Sequence, residues 1–113
     1  MTNSGAKTVL HPVSDLARSK KVYAALLGVE PSADSEYYVG FDAAGQHIGL
    51  VPKGASAAET PVAYWHVDDI EAKLAEVTAA GGEVHAAPKN VGGSRLVATF
   101  TDPDGNVLGL IQD

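Results

Sequence analysis

The chain has 113 residues, 45% hydrophobic and 19% charged, with a formal net charge of −6, the make-up of one globular domain and not of a disordered tail. Its negative charge opposes a phosphate backbone and speaks against nucleic acid as a partner. It has no cysteine, which excludes disulfides, thiolate metal sites and thiol nucleophiles.

No apolar run reaches the ~20 residues a membrane helix needs. The opening MTNSGAK has no hydrophobic segment behind it that resembles a signal peptide. The expectation is a cytoplasmic protein without a membrane partner. KTVLHPV at 7–13 is short, apolar and β-branched, and reads as a strand. Ser14 or Asp15 can cap the helix LARSKKVYAALL at 16–27, whose Leu16, Tyr23, Leu26 and Leu27 share a face and which Gly28 stops. EYYVGF, a turn at DAAG and QHIGLVPK then make two strands of a hairpin. GASAAETP at 54–61 is small, polar and aperiodic, and reads as a linker.

The plan then repeats. VAYWHV at 62–67 is a strand, and Asp68 or Asp69 caps the helix IEAKLAEVTAA. Ile70, Leu74 and Val77 form its buried stripe and Gly81-Gly82 end it. EVHAAP, RLVATF and NVLGLIQ follow as strands. VSDL matches VDDI at an offset of 54 residues, Val13 to Val67. The hairpin turns DAAG and DPDG match at an offset of 60, Gly45 to Gly105, so the second copy carries six more residues between helix and hairpin. A duplicated unit that cannot bury its own face is expected to pair with its copy.

A βαβββ unit used twice, with VSDL…YAALLG early and DPDGN before the last strand, resembles the vicinal oxygen chelate superfamily. That superfamily includes glyoxalase I, bleomycin resistance proteins, fosfomycin resistance enzymes and extradiol dioxygenases. The resemblance runs from about Lys7 to Gln112 and is most specific in FTDPDGNVLGL. It implies an α+β fold in which two βαβββ modules pair into a curved, cup-shaped mixed sheet with helices on the convex side. The whole chain, 1–113, is then one domain: module one at about 7–53, the linker at 54–61 and module two at 62–112. The resemblance also implies a homodimer. For function the fold is nearly silent, since it hosts many chemistries.

Enzymes of this superfamily usually hold a divalent metal with four side chains, one from the first and one from the last strand of each module. Placed by the SDL and DPDG anchors, those positions are Thr8, Gly49, Val62 and Gly109. Glycine has no side chain and valine no donor atom, whereas such metals select imidazole and carboxylate. The resemblance therefore implies a degenerate metal site and no cofactor. A strand glycine also has a plain structural reading, a bulge or a close backbone approach.

Strand parity outlines a groove without the metal. Residues two apart share a face, so a face carrying the four degenerate positions also carries His47, Tyr64 and His66. A three-residue bulged turn in both hairpins pairs Asp42 with Gln46 and Asp102 with Asn106. That register adds Tyr37, Val39 and Phe41 in the first module and Arg95, Val97, Thr99 and Thr101 in the second. Trp65, Val67 and Phe100 point the other way, into the core. Tyr37, Phe41 and Tyr64 are then candidate stacking walls, with His47, His66 and Arg95 as polar contacts. Each tyrosine is equally readable as packing, each histidine as a structural hydrogen-bonding residue, and the NVGGS before Arg95 as a lid or a loop. No nucleophile–base pair stands out, and Asp68, Asp69, Asp102 and Asp104 have cap or turn explanations.

Two functional readings stay open. The first is a metal-independent protein that binds or sequesters a small organic, aromatic molecule, resembling the bleomycin resistance branch. The second is a glyoxalase-like lyase, isomerase or dioxygenase with a displaced metal or with His47 and His66 as an acid–base pair. A third is an accessory domain whose groove holds no ligand.

Overall fold

The computed structural model describes residues 3–54 and 60–113. Its elements are β1 (Asn3–Val13), α1 (Leu16–Leu27), β2 (Ala33–Asp34), β3 (Val39–Ala43), β4 (Gln46–Pro52), β5 (Val62–Val67), α2 (Ile70–Ala79), β6 (Glu83–Gly92), β7 (Arg95–Thr101) and β8 (Val107–Gln112). They fall into two compact units, residues 7–62 and residues 63–113 with 3–6. The linker read at 54–61 lies mostly outside the described residues. Helices and mixed strand pairs recur in the same order in each unit, which is the α+β, βαβββ plan expected from the sequence. None of the helices among the described residues is long and apolar enough to cross a membrane.

In the unit of residues 7–62 the strand order is β2-β3-β4-β1. β1 runs parallel to β4, and β3 antiparallel to it. The parallel pairing requires a crossover, which α1 supplies. Asp15 is the cap: its side chain accepts from Arg18 N at 3.1 Å. Gly28, at φ 72°, closes the helix with a bond from its N–H to Ala24 O of 2.9 Å. Val39, Phe41 and Leu50 are buried under α1, against Leu16, Tyr23, Ala24 and Leu27. Leu26, read from the sequence as part of that face, is instead 76% exposed, and Ala24 packs in the core.

The unit of residues 63–113 has the order β5-β8-β7-β6, with β5 parallel to β8 and the other pairs antiparallel. Asp69 caps α2 through Ala72 N at 3.1 Å, and the Gln112 side chain accepts from Ile70 N at 2.7 Å. Together they satisfy two of the helix's first amides. Ile70 and Leu74 pack on Val67, Ala98 and Leu110, with Trp65, Val77, Leu96 and Phe100 around them. The six extra residues of this copy lie between its helix and its last hairpin, where β6 forms a ten-residue partner for β7. NVGGS is the tight turn of that pair. Asn90 ties it by accepting from Gly92 N and donating to Gly93 O, each at 2.9 Å.

The two last hairpins differ in their turns. In the second, Asp102 N donates to Asn106 O at 3.1 Å and Gly105 N to Asp102 O at 3.0 Å, a three-residue bulged turn with Gly105 at φ 83°. In the first, Ala43 pairs with Gln46, leaving only Ala44 (φ 53°) and Gly45 (φ 78°) between the strands. Two consecutive left-handed residues make the two-residue hairpin turn. Asp42 therefore stands opposite His47, not Gln46.

Within the first core, His11 meets Tyr23 edge-on, and Tyr23 Oη lies 2.9 Å from His11 Nδ1. Burial lowers the His11 pKa below its ordinary 6.5. A neutral His11 accepts the tyrosine proton at Nδ1, whereas a protonated ring would present N–H there and break the arrangement. The folded state thus binds fewer protons than the unfolded state, so this stability is present above pH 6.5 and is lost as pH falls through the folded pKa. The melting temperature is expected to decline as pH drops from 7 toward 5, and to decline less in His11→Gln. Equal slopes for the two proteins would count against the His11 assignment.

Candidate functional site

The one-residue difference between the turns decides what the first unit displays. Phe41 pairs with Ile48 and Val39 with Leu50, placing both on the helix side. Phe41 is fully buried there, so its place as an open stacking wall is corrected: it is a core residue. Tyr37 is corrected as well. It precedes β3, sits in a turn where Ser35 Oγ accepts from its N–H at 3.2 Å, and is 76% exposed. A slip of one residue transfers a whole strand to the other face, and here the slip comes from the shorter turn.

The face opposite the helix is built from Thr8 and Leu10 of β1, Gly40 and Asp42 of β3, and His47 and Gly49 of β4. Gly40 and Gly49 are direct partners and together leave a floor without side chains. Tyr38 lies over it. A Cβ on Gly49 would stand 2.5 Å from the Tyr38 hydroxyl and 2.7 Å from a Leu10 methyl. A Cβ on Gly40 would stand 2.8 Å from His47 Cε1 and 2.9 Å from Tyr38 Cε2. Both glycines are therefore close-approach positions, as the plain reading of strand glycines has it.

Three polar side chains are joined on this floor. Asp42 Oδ1 lies 2.8 Å from His47 Nδ1, and His47 Nε2 is hydrogen-bonded to the Tyr38 hydroxyl. The tyrosine and imidazole rings lie nearly parallel, at 12° and 5.9 Å between centroids. The hydrogen bond to His47, followed by that to the Ser32 hydroxyl, lowers the Asp42 pKa below the ordinary carboxylate value. The His47 side chain is 24% exposed and that of Asp42 66%, so the line runs from solvent inward. Sequence reasoning found His47 but missed Asp42 and Tyr38. No local signal in DAAGQH marks the two-residue turn that brings Asp42 opposite His47.

In the other unit Tyr64 and Thr99 lie on the face opposite Trp65 and Phe100, but Tyr64 is buried and is not an open stacking wall. Tyr64 is the partner of Gly109, and Thr99 stands across from that glycine. The Tyr64 ring covers Gly109, whose Cβ would fall 2.6 Å from the ring's Cγ. Tyr64 is 5% exposed, and burial raises its pKa. Thr99, also buried, is hydrogen-bonded to His85 Nδ1 at 2.9 Å. The remaining candidates, His66 and Arg95, meet at Asp113: Arg95 Nε is 2.6 Å from one carboxylate oxygen and His66 Nδ1 is 3.8 Å from the other.

The four positions that would carry metal ligands do not fit a metal. Thr8 and Val62 are buried, and a tyrosine ring lies over each of Gly49 and Gly109. One hydroxyl is no donor set for a divalent ion that selects imidazole and carboxylate. Among the described residues no three or more of His, Cys, Asp and Glu are grouped to hold a metal.

The chain matches the Glyoxalase/Bleomycin resistance protein/Dioxygenase superfamily over residues 6–110, and belongs to that family. Among solved structures it resembles NAD-dependent benzaldehyde dehydrogenase from Legionella pneumophila, with a TM-score of 0.77 and 19% identity over 93% of this chain and 96% of that one. It also resembles a glyoxalase/bleomycin resistance protein/dioxygenase superfamily member from Vibrio splendidus 12B01, with a TM-score of 0.69 and 21% identity over 94% and 96%. A third is a single-substitution variant of Streptomyces coelicolor methylmalonyl-CoA epimerase in complex with 2-nitronate-propionyl-CoA, with a TM-score of 0.77 and 14% identity over 99% of both chains. At these identities the likeness is one of fold. No curated protein matches the chain.

Proposed function

We propose that this member of the superfamily binds a small, flat, at least partly aromatic organic molecule without a divalent metal. One observation carries the reading: the strand-centre glycines that the resemblance puts at metal-ligand positions, Gly49 and Gly109, are each covered by a tyrosine ring of their own unit, Tyr38 and Tyr64. The positions that serve coordination in metal-dependent relatives are thus given over to aromatic surface. An aromatic ring offers broad contact area at little cost in side-chain entropy, and of the two Tyr38 is the one not buried. Within the unit of residues 7–62, Tyr38, His47 and Asp42 supply polar groups to orient what binds.

A second reading, acid–base catalysis without a metal, is favoured by the hydrogen-bonded line from Asp42 through His47 to Tyr38. It differs from the His47–His66 pair considered from sequence, because the partners of His47 are a tyrosine and an aspartate of its own unit. The epimerase complex adds a shared fold but no residue roles.

Protein purified without added metal is expected to carry well under one equivalent of Zn²⁺, Ni²⁺, Fe²⁺ or Mn²⁺ and to keep its melting temperature in chelator. Calorimetry with a panel of aromatic acids and phenols should then find ligands whose affinity is unchanged by chelator. A tightly held ion that is required for binding would sink the reading.

A further inference from the structure

On the face of β5 opposite α2, Tyr64 joins a buried ring to a hydroxyl for which the protein supplies no partner. The residue is 5% exposed. Its partner across the β5–β8 pair is Gly109, and the ring lies in the space that a side chain there would fill. Among the described residues the phenol oxygen makes no hydrogen bond, and no fully buried side-chain oxygen or nitrogen lacks one. The oxygen is therefore the part of Tyr64 that still reaches the surface: the ring is enclosed and its tip is open. Burial raises the pKa with no hydrogen bond contributing, so the phenol keeps its proton at neutral pH and is a donor.

Packing alone does not select such a group. Phenylalanine would fill the same space without stripping water from an O–H, and enclosed tyrosines usually find a partner. The other side chains of this face do not provide one. Gly109 has none to offer. Thr99, across from Gly109 on β7, is buried and bonded to His85 Nδ1 at 2.9 Å. Val97 and Ile111, paired with each other next along the face, are apolar. Arg95, further along β7, is held by Asp113 just past β8, Nε to Oδ1 at 2.6 Å.

We propose that Tyr64 donates its O–H to the carbonyl oxygen of a small neutral ligand, a ketone, aldehyde or ester, seated on this face of the unit of residues 63–113. One donor among apolar side chains matches one acceptor on an otherwise apolar molecule. A carboxylate fits less well. It would lose water against Val97, Ile111 and Gly109 in return for a single hydrogen bond from a neutral group, while the cation of this face, Arg95, is already paired. The site goes beyond the aromatic, metal-free reading and does not depend on it, since it asks for a carbonyl group and not for a ring.

Cyclohexanone and methylenecyclohexane, which carries CH2 where the ketone has oxygen and has nearly the same shape, are titrated into the full chain and into Tyr64→Phe. In the parent the ketone is expected to bind about fivefold tighter than the alkene, the worth of one hydrogen bond. Its carbonyl stretch should move to lower wavenumber on binding. In Tyr64→Phe both the preference and the shift should vanish. With no partner to lose, that variant should keep the parent's melting temperature or exceed it. A clear fall in melting temperature would mean that the hydroxyl is tied to the protein, and overturns the inference. Equal binding of ketone and alkene, the behaviour of a hydroxyl that meets only water, overturns it as well. So does a preference or a shifted band that survives in Tyr64→Phe, and so does failure of cyclohexanone to bind at millimolar concentration. Each of these outcomes leaves the Tyr38 reading standing, because aromatic acids and phenols titrated with and without chelator test that one separately.

Discussion

Replacing Phe41 with alanine is expected to lower the unfolding free energy by about 3–5 kcal/mol, the usual loss when a large buried aromatic is deleted. Its ring is fully buried among Val39, Leu50 and the inward side of α1. Tyr37→Ala is expected to stay within about 0.5 kcal/mol of the parent, as exposed substitutions generally do. Only its backbone N–H is bonded to Ser35 Oγ, and alanine keeps that N–H. Chemical denaturation of the two variants measures both values. The pair also tests the register of β3. Were the three-residue turn present in the first hairpin, Phe41 would lie on the open face and Phe41→Ala would be nearly silent in stability. A loss below about 1 kcal/mol, far from the core range, would therefore argue for the other register.

The same strand shows where the sequence was legible and where it was not. Both helices were readable to within a residue, because Asp15 and Asp69 are caps and the apolar spacing is helical. The faces of β5, β7 and β8 were readable as well. Trp65 and Phe100 lie with α2, while Tyr64 and Thr99 lie opposite, because proline and glycine in DPDG determine a bulged turn of known length. DAAG resembles DPDG only in its first and last residues. Without proline the chain closes one residue sooner, with Ala44 in the left-handed region that alanine seldom adopts. Nothing local signals that choice, since the pairing of Phe41 with the α1 core decides it from a distance. Tyr38 was obscured for a related reason. It lies just before β3, so strand alternation says nothing about its direction, and its position follows from two glycines and a histidine that meet only in the folded unit. The degenerate metal positions, by contrast, rest on the resemblance and its SDL and DPDG anchors, with glycine and valine offering no donor atom there.

A double substitution at Gly109 and Tyr64 carries the strongest test of how those positions were refilled. Gly109→Ala alone is expected to destabilise by about 1–3 kcal/mol, the usual cost of forcing atoms into a filled site. The new Cβ would lie 2.6 Å from Tyr64 Cγ and 2.7 Å from its Cε2. The clash reaches the root of the side chain, so the ring cannot swing clear as a flexible tip would. The backbone itself gives alanine no difficulty, since Gly109 is not among the glycines with positive φ. Tyr64→Ala alone should cost about 3–5 kcal/mol, because the ring is buried. In the Tyr64→Ala protein, however, Gly109→Ala no longer meets its three nearest neighbours, all atoms of the ring, and removes a flexible glycine from a strand. There it should be neutral or stabilising by up to about 1 kcal/mol. The second substitution thus loses or reverses its cost with the first, a coupling of about 1–4 kcal/mol between directly paired residues. Urea denaturation of the parent, both single variants and the double variant closes the cycle. Additive losses would mean that the ring does not occupy the space above Gly109, and the proposal of an aromatic surface at this strand glycine would fall with it.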